Sequence, residues 1–127
     1  MLTLIGFVIL VGSVLFFTFL SKRADISLDA NLPLQTGSVV VEMHQDEYTP
    51  SEVKIQQGTM VIFLNKSEVA RWPASDLHPS HGIYPELDPK KPILSGEEWN
   101  FTFDKVGQWT MHDHLAPYIT AKVLVVE

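Results

Sequence analysis

The chain has 127 residues, enough for one ordinary domain with an appendage, and its 15 acidic against 9 basic side chains give a formal net charge of −6. An acidic balance of this size disfavours nucleic acid and anionic lipid as partners. No cysteine is present, so neither a disulfide framework nor a thiolate metal ligand is available.

Residues Met1 to Leu20 carry no charge and are almost wholly apolar. At 1.5 Å per residue a helix of that length spans roughly 30 Å, the thickness of a bilayer core. The run predicts one membrane helix, with residues 1–23 as an N-terminal anchor. A cleaved signal peptide is the competing reading, but it wants a basic start, a shorter apolar run and a small-x-small cleavage site, whereas Ser21-Lys22-Arg23 follows here. Taken alone, Lys22 and Arg23 on the carboxyl side would leave the remainder of the chain in the cytoplasm. Residues 24–37 show no clear period and contain Pro33 and Gly37, so they read as an unstructured linker.

From Ser38 onward the apolar pattern has period two. Ser38 to His44, Val53 to Gln57 and Thr59 to Asn65 read as strands, with a turn at Tyr48-Thr-Pro50-Ser and another at Gly58. Between Lys66 and Pro92 lies a long connection holding five of the eight prolines. Long connections without periodicity are either functional or disordered, and prolines lower the entropy lost on ordering, so this one is expected to be ordered. It carries His78 and His81 flanked by carboxylates, together with Trp72 and Tyr84, both expected as lids over the core. Trp99 to Asp104 alternates cleanly, with Trp99, Phe101 and Phe103 on one face. The chain closes on two strands from Gly107 to Glu127 around a turn that bears His112-x-His114. In extended chain, residues two apart share a face, so both imidazoles can reach one ion. Six or seven short strands without a helix predict a Greek-key β-sandwich over residues 38–127.

The closing hairpin resembles a known family. Gly107, Trp109, Pro117, Val123 and Val125 fit the frame of the last hairpin of the small blue-copper proteins, the cupredoxins, of the amicyanin and pseudoazurin type. The run Tyr-Thr-Pro-Ser-x-Val-x-Ile-x-x-Gly-Thr-x-Val-x-Phe-x-Asn-Lys, Tyr48 to Lys66, is similar to the opening half of the same family. The resemblance implies an exported domain, which the predicted anchor would hold at the cell membrane on the periplasmic or extracellular side. It also implies copper ligands, and none is kept. Laid on without a gap, the family's cysteine falls on Asp113, its second histidine on Ala116 and its axial methionine on Ile119, while its first histidine best matches Arg71. A blue site needs a thiolate with two imidazoles, so the resemblance argues for the fold and against type 1 electron transfer.

Four of the five histidines fall in two clusters, His78/His81 and His112/His114. In a cupredoxin the loop after the third strand and the last turn meet at one end of the sandwich. The resemblance therefore brings the clusters together as a site for a copper ion, or a zinc ion, with Asp113 or Asp76 as a carboxylate partner. A purely structural arrangement stands beside it. Asp76, His78 and His81 can bond loop backbone. His112 and His114 face away from the core if Met111 faces in, and Asp113 can then pair with Arg71 where a metal used to be. His44 reads as a surface or structural group, and the methionines as packing. No nucleophile elbow, phosphate loop or catalytic carboxylate pair is visible, so no enzyme activity is expected. The expected partners are a metal ion and the membrane, with a second protein of the cell envelope as the partner if no metal binds.

Overall fold

The computed structural model describes residues 31–127. The expected anchor and most of the expected linker lie outside these residues, and among the described residues no helix is long and apolar enough to cross a membrane.

Among the described residues nine strands form two mixed sheets: β1 (Leu34–Gln35), β2 (Ser38–Met43), β3 (Tyr48–Thr49), β4 (Glu52–Gln56), β5 (Thr59–Asn65), β6 (Pro73–Ser75), β7 (Glu98–Phe103), β8 (Gly107–Asp113) and β9 (Ala116–Val126). One sheet has the order β1-β4-β9-β8-β6, the other β3-β2-β5-β7. β2 runs parallel to β5 and β4 parallel to β9, whereas β8 and β9 form an antiparallel hairpin. The expected strands are present, with ends shifted by a residue. The sequence reading missed only pieces of two or three residues, which are too short to show a period. One of these, β1, lies in the expected linker and pairs with β4 through Leu34 and Gln35. Ordered structure therefore starts before Ser38.

Alternation explains the layers. In β5 every second residue, Thr59, Val61, Phe63 and Asn65, is buried, and in β2 Val39, Val41 and Met43 are. The apolar ones among these meet Val53 and Ile55 of β4, Met111 of β8, and Ala121, Val123 and Val125 of β9 in one apolar core. Fully burying a side chain of this size stabilises the fold by about 1.5–3 kcal/mol. Trp99 and Phe101 pack against that core while remaining half-buried, and Phe103 is fully enclosed. Gly58 turns the chain from β4 into β5 at φ +86°, a backbone region that residues with a Cβ rarely adopt.

The proline-rich connection is ordered and pinned at several points. Tyr84 and Leu87 are buried in the core, and the Tyr84 ring lies 4.7 Å from Trp109 and 5.3 Å from Phe101 between centroids. The backbone of Ser75 donates to the Leu87 carbonyl at 2.9 Å, and Ile83 donates to the Asp76 carbonyl at 2.8 Å. These bonds fold residues 76–88 back along the edge strand β6. That strand pairs with β8 in the register Pro73↔Asp113, Ala74↔His112, Ser75↔Met111.

Candidate metal centre

The end of β8 presents two polar groups of residues on opposite sides. Met111 packs in the core and Asp113 bonds Tyr48 on that side, whereas His112 and His114 meet the 76–88 segment. On that second side the 76–88 segment supplies His78 and His81. One ring nitrogen from each of His78, His81, His112 and His114 lies within 4.8 Å of the other three. The structure thus joins the two histidine clusters that are more than thirty residues apart in sequence, as the cupredoxin resemblance implies.

The contacts are specific to the atom. His78 Nδ1 lies 3.1 Å from His112 Nε2, and His81 Nε2 lies 2.9 Å from His114 Nδ1. His112 turns its other nitrogen, Nδ1, to Asp76 Oδ1 at 2.8 Å, and His81 turns Nδ1 to Asp88 Oδ2 at 2.7 Å. Two of the four rings therefore have a carboxylate behind them, the arrangement that orients imidazole ligands in metal sites. His81 and His112 are buried, His114 is half-buried and His78 is exposed, so the cluster opens to solvent on the His78 side.

Asp76 was legible as a partner; Asp88, seven residues after His81 and just before Pro89, was not. Asp88 is nearly inaccessible and also accepts from Trp72 Nε1 at 2.8 Å, the Lys90 backbone at 2.8 Å and Lys90 Nζ at 2.9 Å. Burial opposes its charge, but the bonds from His81, Lys90 and Trp72 hold its carboxyl well below the usual carboxylate range. Trp72 covers His114 rather than the core, with ring centroids 4.7 Å apart. Lost solvation first, and then the three neighbouring imidazoles, push the His114 ring below the usual histidine range. A neutral imidazole is the form that binds a metal ion. His81 adopts φ 55°, a left-handed conformation costing about 1–2 kcal/mol in a residue with a Cβ, and such strain concentrates at functional positions.

The opposite side of β8 is built otherwise. Asp113 is fully buried; its Oδ2 accepts from Tyr48 Oη at 2.6 Å and from the Trp72 backbone at 3.0 Å. Its Oδ1 accepts from the backbones of Leu115 at 2.9 Å and Ala116 at 3.0 Å, which closes the hairpin turn. Burial first, and then Asp113, drive the Tyr48 hydroxyl far above its ordinary value, with Arg71 acting in the opposite direction. Arg71 is buried and donates to the carbonyls of His44 and Gln45. The Arg71–Asp113 ion pair entertained from the sequence is not formed: backbone carbonyls satisfy Arg71, and backbone N–H groups with the Tyr48 hydroxyl satisfy Asp113. His44 pairs with Glu42 at 2.9 Å, away from the cluster.

No protein-family model matches the sequence, and no curated protein matches it. Solved structures do. A reduced amicyanin mutant superposes with a TM-score of 0.62 at 21% identity, covering 71% of this chain and 83% of that one. The reduced Cu(I) form of another amicyanin mutant gives the same values. A Cu-containing nitrite reductase from Thermus scotoductus follows at a TM-score of 0.61 and 23% identity, covering 71% of this chain but 22% of that one.

The chain has a cupredoxin fold. The four positions that the cupredoxin resemblance aligns with copper ligands hold no ligand set, and the histidine cluster lies beside them. Asp113 has four hydrogen bonds, Ala116 and Ile119 belong to the apolar core, and Arg71 is bound to carbonyls. Those residues do not fit a type 1 copper ion. The four imidazoles beside them fit a borderline ion of the Cu(II) or Zn(II) type.

Proposed function

We propose that this cupredoxin-like protein binds one copper ion, with zinc as the competing metal, through His78 Nδ1, His81 Nε2, His112 Nε2 and His114 Nδ1. The observation that carries the reading is the convergence of four imidazole nitrogens within 4.8 Å, two of them on rings backed by Asp76 and Asp88. Copper takes precedence because nitrogen sites bind Cu(II) more tightly than Zn(II). The Cu(I) form of amicyanin and the Cu-containing nitrite reductase among the solved neighbours support the same choice. Bound there, the ion would be held by nitrogen alone, without the sulfur that gives type 1 copper its tuned one-electron chemistry. The reading is therefore storage, delivery or sensing, and not type 1 electron carriage. The exposed edge of His78 gives an entry path, and the buried rings with their carboxylates supply a preset donor pair. The apolar run Met1 to Leu20 supports attachment to the cell membrane, and the family resemblance supports a domain outside the cytoplasm. No nucleophile or acid–base pair supports catalysis, so we read the protein as a non-enzymatic binder.

A second reading has its own support. Among the described residues every buried side-chain nitrogen and oxygen has a partner, so the cluster is also self-consistent as a polar clasp without metal, in a module that binds another envelope protein. Titration of the purified chain with Cu(II) and Zn(II) separates the two. Sub-micromolar uptake, abolished by His112→Ala and by His78→Ala, is expected, without the intense absorption of copper–thiolate charge transfer. No uptake at neutral pH would leave the clasp.

A further inference from the structure

We propose that Asp76 and Asp88 are positioning residues that lock two of the four rings in one tautomer and so dictate how the other two close the cluster before any metal arrives. A carboxylate can only accept. Asp76 Oδ1 at 2.8 Å from His112 Nδ1 and Asp88 Oδ2 at 2.7 Å from His81 Nδ1 thus put the proton of each neutral ring on Nδ1. The lone pairs of these two buried rings are left on Nε2, facing the cluster. Each Nε2 meets a nitrogen of an outer ring: His78 Nδ1 at 3.1 Å and His114 Nδ1 at 2.9 Å. A lone pair at that distance needs a donor, so His78 and His114 also carry their protons on Nδ1. The metal-free cluster is two chains of the form carboxylate, inner imidazole, outer imidazole. Each runs in one direction, and no ring is left unsatisfied.

The second half of the inference rests on the proposed metal binding. For one ion to take all four nitrogens, His78 and His114 must present lone pairs on Nδ1. Each then moves its proton from Nδ1 to Nε2 through solvent, with no change in net charge. Two N–H···N bonds are exchanged for two metal–nitrogen bonds. The labour divides by exposure: the buried rings His81 and His112 keep their tautomer, and the rings with access to water change theirs.

Long-range proton–nitrogen NMR of the full-length, metal-free chain at mildly alkaline pH reads each tautomer directly. Protonation on Nδ1 is expected for all four clustered rings. His44, whose Nε2 faces Glu42 at 2.9 Å, serves as the Nε2-protonated reference. Adding Zn(II) should move the proton of His78 and His114 alone. Asp76 is about one-third exposed, so Asp76→Ala should leave the unfolding midpoint of the metal-free chain nearly unchanged. The same substitution should free His112 to mix tautomers and lower Cu(II) affinity about 10–100-fold, the usual effect of an outer-shell partner. Asp76→Asn, which keeps an acceptor oxygen, should restore the His112 tautomer and bring the affinity to within a few-fold. His78 or His114 protonated on Nε2 in the metal-free chain, or a His112 tautomer indifferent to Asp76→Ala, would overturn the proposal. Four Nδ1-protonated rings in a chain that takes up neither ion would uphold the tautomer assignment and remove the metal reading.

Discussion

The two sides of β8 hold comparable amounts of buried polarity and use it in opposite ways. On the core side one carboxylate, Asp113, is surrounded by four fixed donors, three of them backbone N–H groups. Each donor is met, and the result is a hairpin held in shape. On the other side four like groups face one another, and the fixed polar partners stand behind them rather than between them. Buried polar atoms alone do not mark a functional site, since nearly all are satisfied in any fold. Convergence of four equivalent donor atoms is the feature that separates this side from the other, and the metal reading rests on it.

The comparison breaks most visibly at Asp113. Replacing it by alanine strands Tyr48 Oη and three backbone N–H groups in a closed environment, and we expect a loss of about 3–5 kcal/mol in denaturant unfolding of the metal-free chain. On the other side His112→Ala should cost less without metal, because its neighbours have access to solvent on the His78 side. What it removes is the stabilisation by copper, which for the parent chain is about 2.7 kcal/mol at a free metal concentration 100 times the dissociation constant. Equal losses of metal-free stability from the two substitutions would show that the histidine cluster is a structural clasp.

The fold was legible because Trp99, Phe101 and Phe103 alternate strictly with Asn100, Thr102 and Asp104, because short apolar runs such as Val61 to Leu64 suit buried strands, and because turn residues such as Gly58 sit between the runs. The histidines were legible as two spacings, and their meeting followed from the cupredoxin resemblance of both ends of the chain. Three features were not legible. Asp88 reads as one of several acidic residues in a loop, and only the fold of that loop over Ser75 brings it behind His81. Trp72 reads as a core lid, because nothing in its sequence neighbourhood announces His114, 42 residues later. Arg71 and Asp113 read as an ion pair by charge alone, yet backbone carbonyls and amides, which the sequence does not display, outcompete the pairing. Local period fixes which face a residue takes, whereas partners come from register and loop path.

The smallest expected effect tests the core side by pH. Tyr48→Phe removes one donor to Asp113 and leaves the other three, so at neutral pH we expect a loss of about 1–2 kcal/mol. In the folded chain both the Tyr48 and Tyr84 hydroxyls hold their protons more firmly than in the unfolded one. Tyr48 is driven far up, chiefly by burial, and Tyr84 is pushed up to about 12 by burial and its 2.6 Å bond to Asp104. Groups whose folded value is raised give stability that is fully present below their unfolded value, near 10 for tyrosine, and lost as pH climbs above it. Urea midpoints should therefore fall between pH 10 and pH 12 in the parent chain. They should fall less in Tyr48→Phe, so the gap between the two proteins narrows as pH rises. A gap that stays constant across that range would mean that the Tyr48 proton is not held by Asp113, and the picture of a saturated carboxylate on the core side of β8 would fail with it.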